Sequence, residues 1–332
     1  MFYQMKKAYK ILLGIITLVF IAAAPAGVYL NVFLPDVGQP GREQIERTPE
    51  RVERGRYLAN HVAVCMDCHS VRDWSRFAGP LSGNPGSGGE KFGREMGFPG
   101  VIYSPNITPY SLGGWTDGEI LRAITTGVNK DGKALFPLMP YRHYGQMDKE
   151  DIYSIIAYIR TLDPIKSDTK TRELDFPLNF LINTMPQEAQ LKPRPNESDR
   201  VAYGAYIINA AGCVDCHSKT VKGDIVKGSE FGGGMEFSQP AGVVRSPNIT
   251  PHNETGIGQW TKEMFVQRFK AYADSSYQSP KYTPDDLNSP MPWHMYSGMK
   301  REDLEAIYAY LQSLKPINHS VSKYRRNKAY KD

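Results

Sequence analysis

The chain has 332 residues, 41% hydrophobic and 23% charged, with a formal net charge of +5. This is the composition of a folded globular protein rather than a disordered or collagenous one. The charge excess sits at the ends, with Lys6, Lys7 and Lys10 in front and Lys323, Arg325, Arg326, Lys328 and Lys331 against Asp332 behind; the near-neutral body between them excludes the basic folded face of a nucleic-acid binder.

Residues 1–10 read as a basic cytoplasmic N-terminus. From Ile11 to Leu34 the sequence carries no charge. As a helix rising about 1.5 Å per residue, that length covers a hydrocarbon core of roughly 30 Å. Lysines ahead of it and none immediately behind predict a transmembrane anchor over 11–34. The rest of the chain would then lie on the periplasmic side of the inner membrane. A cleaved signal peptide is the alternative, since "AAAPAG" supplies small residues. The apolar run nevertheless continues through Val28, Tyr29, Leu30, Val32 and Phe33.

Beyond the anchor the chain is written twice. "RVERGRYLANHVAVCMDCHS" (51–70) is answered by "RVAYGAYIINAAGCVDCHS" (200–218), and "FGREM" (92–96) by "FGGGM" (231–235). "SPNITP" at 104–109 returns letter for letter at 246–251, followed by "GGWT" and "GQWT". "LMPYRHYGQMDKEDIYSIIAYIRTLDPI" (138–165) is answered by "PMPWHMYSGMKREDLEAIYAYLQSLKPI" (290–317). The spacing drifts only between these marks, as loop insertions would make it. The repeat predicts two domains, 45–165 and 198–317, joined by 166–197 and followed by a basic tail, 318–332, read as a solvated end.

Taken in chain order, each copy reads as all-α. A first helix, about 48–63 and 197–211, carries the repeated Gly55/Gly204, small enough for another helix to approach closely. A second follows the tryptophan, with Ile120, Leu121, Ile124 and Val128 on one face. The last helix, about 148–162, repeats Ile152, Ile155, Ile156 and Ile159; Asp148 caps its start, Lys300 caps its counterpart poorly, and Pro164 and Pro316 stop both. The linker segment "FPLNFLINTM" is too apolar for a solvated tether and is expected to pack on one domain.

The four cysteines, Cys65, Cys68, Cys213 and Cys216, form two C-x-x-C pairs, each followed directly by histidine, His69 and His217. That is the attachment signature of c-type haem. Two thiols on one helical turn anchor the porphyrin vinyl groups, and the next side chain lies under the iron. A zinc site would need four ligands, and each copy has one pair and one histidine. Two covalently bound haem c groups are therefore expected.

An electron-transfer haem takes a sixth ligand, and methionine raises its potential. Of 12 methionines, three pairs recur: Met96/Met235, Met139/Met291 and Met147/Met299. Met139 and Met291 precede proline and an aromatic on a stiffened loop and are the expected iron ligands. Met147 and Met299 sit where a hydrophobic staple packs onto the following helix. His143 and His294 do not recur and are the alternatives for bis-histidine ligation. The hexapeptide, between histidine and methionine in both copies, is expected to form a haem-edge loop, with Asn106, Thr108 and Trp115 in one copy and Asn248, Thr250 and Trp260 in the other.

With "CMDCHS" and "CVDCHS", both "SPNITP" loops, "GWT", "MPY", "MPW" and "FPLNF", the chain resembles the membrane-anchored di-haem and multi-haem cytochromes c of bacteria. The likeness covers roughly 45–317 and is greatest to the cytochrome subunit of membrane-bound alcohol and gluconate dehydrogenases. It implies two tandem class I cytochrome c domains carrying electrons from a dehydrogenase toward quinone or a terminal oxidase. Subunits of that family usually carry three haem domains, whereas this chain has two. The expected function is an electron carrier, not an enzyme with a small-molecule substrate. Its redox partner would be a dehydrogenase, a quinol-oxidising complex or an oxidase. A di-haem peroxidase, which needs an open iron, and a cytochrome subunit of a respiratory oxidase are the competing functions.

Overall fold

The computed structural model describes residues 2–274 and 276–327. Helix α1 spans Phe2–Val32. Among the described residues, no helix is long and apolar enough to cross a membrane, which overturns the transmembrane anchor expected over 11–34. The lack of charge was a poor guide, because Pro25, several alanines and glycines, and the polar Thr17 and Asn31 interrupt the apolar run. Thr17 and Asn31 hydrogen-bond carbonyls one turn back. The side chains of residues 2–8, 19, 20, 22 and 23, like the whole of 328–332 in the expected basic tail, lie outside the description.

The first copy contains α2 (Pro49–Tyr57), continued by a π-helical turn at Leu58–Val62, then α3 (Cys65–Cys68), β1 (Lys91–Phe92), β2 (Gly100–Tyr103), α4 (Pro109–Leu112), α5 (Asp117–Thr126), α6 (Tyr141–Tyr144) and α7 (Lys149–Ile159). The connecting segment adds β3 (Glu173–Leu174) and α8 (Leu178–Leu181). The second copy contains α9 (Arg200–Ala210), α10 (Cys213–Cys216), β4 (Thr220–Val221), β5 (Asp224–Ile225), β6 (Glu236–Gln239), β7 (Gly242–Arg245), α11 (Lys262–Lys270), α12 (Trp293–Tyr296), α13 (Arg301–Ser313) and β8 (Tyr324–Arg326). Helix starts follow local chemistry. Thr116 and Glu119 close a capping box on α5, and Asp148 caps α7 while Lys300 makes no cap bond on α13, as the sequence suggests.

The all-α expectation needs correction, because the strands form three small antiparallel sheets: β1–β2–β3, β4–β5 and β6–β7–β8. The third strand of each larger sheet comes from the chain after the copy's last helix. Gly100 pairs with Leu174 and Gly242 with Arg326. Both glycines have positive φ, and a Cβ on either would lie 2.1 Å from the crossing strand's carbonyl oxygen. The repeat thus runs past Ile317, and within the basic tail the exposed Tyr324–Arg326 pair as a sheet edge. The linker is partly docked: Ile182 is buried and Asn183 bonds the Leu30 carbonyl, yet Phe176 is 82% exposed.

Glycine sets the central helix crossing of each copy, α2 on α7 and α9 on α13. A Cβ on Gly55 would meet the Ser154 carbonyl oxygen at 1.7 Å, and one on Gly204 that of Ala306 at 2.0 Å. Around these crossings the two copies share one apolar core that includes Leu58, Met147, Ile156, Ile207, Met299 and Leu304. They also exchange polar contacts about a pseudo-two-fold axis. Tyr206 of the second copy donates to Asp151 of the first at 2.7 Å, and Tyr57 of the first donates to Asp303 of the second. Asp148 N donates to the Tyr206 hydroxyl and Lys300 N to that of Tyr57. Arg54 clamps Asp151 with two bonds, and the corresponding position in the second copy holds Tyr203, bonded to Asp303.

Candidate haem sites

Each attachment turn is entered through a left-handed residue, Val64 (φ 44°) or Gly212 (φ 62°), which redirects the chain from the first helix into the Cys-x-x-Cys turn. The four thiols form no disulfides. Burial pushes Cys65 and Cys213 up to about 12. The following histidines are oriented by the repeated hexapeptide. His69 Nδ1 lies 2.8 Å from the Pro105 carbonyl oxygen, and His217 Nδ1 lies 2.9 Å from that of Pro247. A carbonyl only accepts, so Nδ1 carries the proton in both rings and Nε2 keeps the lone pair. Burial lowers both imidazoles below their ordinary pKa, which holds them in the neutral, metal-binding form.

The loop opposite is pinned identically in both copies. Gly88 N donates to His69 O and Gly233 N to His217 O, both at 2.8 Å. Each glycine has positive φ, and a Cβ would lie 2.5 Å from the carbonyl carbon of Pro105 or Pro247. The serine after each histidine, Ser70 or Ser218, accepts from Gly86 N or Phe231 N. These bonds pair "SGGE" at 87–90 with "GGGM" at 232–235. Glu90 N and Met235 N make the same bond, to Ser104 Oγ and Ser246 Oγ. The pairing of "FGREM" with "FGGGM" was therefore out of register, and Met96, 39% exposed, is not the counterpart of Met235.

Met139 and Met291 are half-buried against the core, on the turns leading into α6 and α12. Each turn is tied to its own attachment segment by the tyrosine that ends the short helix. Tyr144 donates to Ala63 O at 2.9 Å and Tyr296 to Ala211 O at 2.7 Å, two residues before the first cysteine of each pair. Histidine and methionine are thus presented by segments bonded to each other in both copies. The alternative ligands have their rings engaged elsewhere. His143 has both nitrogens on side-chain oxygens, and His294 Nε2 faces Phe77 O and Ser279 Oγ.

In the hexapeptide, the contact to the histidine comes from proline's backbone, while the Asn and Thr side chains serve the protein. Asn106 Oδ1 accepts from the backbone and hydroxyl of Thr108, and its Nδ2 donates to Ile165 O and Ser167 Oγ. Asn248 does the same with Thr250, Ile317 and Thr255. Thr108 Oγ1 and Thr250 Oγ1 accept from Ile165 N and Ile317 N. The Asn–Thr pair therefore fastens the loop to the chain leaving the last helix. Trp115 and Trp260 are half-buried against the core; their carbonyls hold Arg160 and Tyr308. The serines, glycines and tyrosines of the sites were missed as functional positions. For the serines and tyrosines, recurrence in both copies is a signal that could have found them; for the glycines only the bonds fix the register.

The donor set fits haem c: two free thiols on one turn, a neutral imidazole with a fixed tautomer, and a thioether on a tethered segment. Residues 201–315 match the family described as cytochrome c. Over 300 residues the chain is 27% identical to the alcohol dehydrogenase (quinone) cytochrome c subunit of Gluconacetobacter polyoxogenes, covering 82% of this chain and 58% of the relative. The gluconate 2-dehydrogenase cytochrome c subunit of Pantoea cypripedii is 27% identical over 280 residues, covering 79% and 59%. A diheme cytochrome c-type protein of Cereibacter sphaeroides is 29% identical over 203 residues, covering 56% and 63%. This chain thus spans little more than half the length of the two dehydrogenase subunits. The protein carries a cytochrome c domain and is homologous to the cytochrome c subunits of quinone-dependent alcohol dehydrogenase and gluconate dehydrogenase.

Proposed function

We propose that the protein is a di-haem electron carrier of a respiratory chain, working on the periplasmic side and taking electrons from a dehydrogenase. One haem c would be held by Cys65, Cys68, His69 and Met139, the other by Cys213, Cys216, His217 and Met291. The observation that carries this reading is the repeated bond from histidine Nδ1 to a proline carbonyl, at 2.8 and 2.9 Å, which leaves Nε2 of both rings for iron. The haem supplies a one-electron iron couple. The chain's residues do the rest. Cysteines fix the group, Pro105 and Pro247 hold the imidazoles, and Tyr144 and Tyr296 hold the methionine segments.

The intact mass of the protein as made in cells should show two haem additions, and both should be lost when Cys65, Cys68, Cys213 and Cys216 are all replaced by alanine. Met139→Ala and Met291→Ala should each remove half of the sulfur-to-iron charge-transfer absorption of the oxidised protein, and the double variant all of it. Full retention of that band in the double variant would overturn the ligand assignment.

A further inference from the structure

Each attachment turn carries an aspartate just before its second cysteine, and the two are neutralised differently. Asp67 is paired within its own domain with Arg72, whose Nη1 lies 2.8 Å from Oδ2. Bonds from Nε to Gly79 O and from Nη2 to Ala78 O hold the guanidinium in place. Asp215 is reached instead from the other copy. Among the described residues its one ion-pair partner is His143 of α6, with Nε2 2.9 Å from Oδ1 and 3.0 Å from Oδ2.

The other ring nitrogen is also committed. His143 Nδ1 lies 2.8 Å from Asn209 Oδ1, and Asn209 Nδ2 donates back to His143 O at 3.1 Å, which settles which way the amide faces. Both nitrogens face acceptors, and only the doubly protonated ring satisfies both. Across the pseudo-two-fold axis the counterparts of His143 and Asn209 are Met295 and His61, and there His61 Nδ1 meets Met295 O. The cradle of one carboxamide and one carboxylate for an imidazolium is therefore built once.

We propose that His143 is a positioning residue of the second haem site, setting its charge with a proton that is linked to the electron there. The inference rests on the di-haem reading above. With haem c held by Cys213, Cys216 and His217, one-electron reduction by the redox partner would lower the charge beside Asp215 and His143 by one. That would favour transfer of a proton from solvent hydronium to His143 Nε2, one N–H bond forming as one O–H bond breaks and water leaves. By reciprocity, losing that proton as pH rises makes reduction harder. The charged groups facing the ring are Asp215 from α10 and Arg142 on α6, with neutral Asn209 from α9. Burial alone would lower its pKa and Arg142 opposes the charge, but Asp215 and Asn209 outweigh both and hold it above the ordinary 6.5.

The test is the pH dependence of the midpoint potentials of the full, haem-loaded chain, native and with His143→Gln. In the native protein the potential of the second haem should fall as pH rises through the titration of His143, followed by histidine NMR. The variant should lose that slope and lose about tenfold in the reduction equilibrium at low pH, the order expected for removing a unit charge at short range in a protein. The other haem's profile should be unchanged by the substitution. An identical slope in native protein and variant would overturn the proposal, as would a native profile flat across the His143 titration. If His143→Gln does not fold, Asp215→Asn should move the slope to lower pH, and an unmoved slope would likewise overturn it. Intact mass separates the two readings. A single haem on Cys213 and Cys216 would remove the di-haem reading and leave the pH profile to decide this one. No haem there would remove both.

Discussion

Replacing Gly204 by alanine tests the packing that brings the attachment turn and the last helix together. The added Cβ would lie 2.0 Å from the Ala306 carbonyl oxygen, 2.5 Å from its carbon and 3.0 Å from Tyr310 Cβ. Two of these atoms are helix backbone, so no rotamer change relieves the clash. Restoring an ordinary contact requires α9 and α13 to separate by roughly 1.4 Å, enough to forfeit much of the dispersion energy between the facing side chains. The buried residues on this seam include Tyr203, Ile207, Leu304 and Ile307. Overpacking of this kind costs about 1–3 kcal/mol, and more where only backbone yields. The helix-propensity gain of about 1 kcal/mol for alanine over glycine acts in the other direction. A net loss of about 2 kcal/mol should lower the midpoint of thermal unfolding by roughly 3 °C for a cooperative unit of this size, read by far-UV circular dichroism. Gly114→Ala, with nothing within 4 Å of its Cβ, is the control and should be near neutral. A Gly204→Ala protein as stable as the native one would refute the close-crossing argument.

Tyr206→Phe removes a buried hydroxyl that donates to Asp151 and accepts from Asp148 N, and should cost about 1–3 kcal/mol in urea unfolding. Asp151 is held below the ordinary carboxylate range: burial alone would raise it, but Arg54, Tyr206 and Arg194 outweigh burial. Its stabilisation is therefore present above the unfolded value of 3.8 and is lost as pH falls through the lower folded value. Stability profiles of Asp151→Asn should lack that part of the acid loss, and an unchanged acid limb would contradict the assignment. Asn248→Ala strips the loop of its bonds to Thr250, Thr255 and Ile317. It should destabilise by roughly 3 kcal/mol and raise amide hydrogen exchange in 246–251.

The duplication and the attachment turns were legible because cysteine, histidine and proline carry their chemistry in their identity and spacing. Helix ends were legible for the same reason, since Asp148 and Thr116 cap by local bonds. The glycine loops were not: a run of glycines has no periodicity, and only the bonds from Gly88 and Gly233 fix their register. The strands contributed by 173–174 and 324–326 were hidden because pairing with a hairpin far back in sequence leaves no local pattern. Tyr57, Tyr206, Asp151 and Asp303 all recur and would each be assigned a partner within their own copy. That they exchange partners is a property of the assembled chain. The spanning helix expected over 11–34 rested on absence of charge, which is a weaker signal than sustained apolarity.

The exchange of like contacts about a pseudo-two-fold axis has the geometry of an isologous homodimer joined into one polypeptide by 166–197. In a true homodimer every substitution at the seam appears twice, and a histidine placed opposite an attachment turn would face both turns. Covalent linkage replaces protomer concentration with a fixed local one and lets each half of the seam change alone. Arg54 opposite Tyr203, and His143 opposite Met295, are such single-sided differences. Fusion therefore permits the two attachment turns, alike in sequence, to be given unequal surroundings; on the di-haem reading proposed above, that would bias the direction in which electrons run.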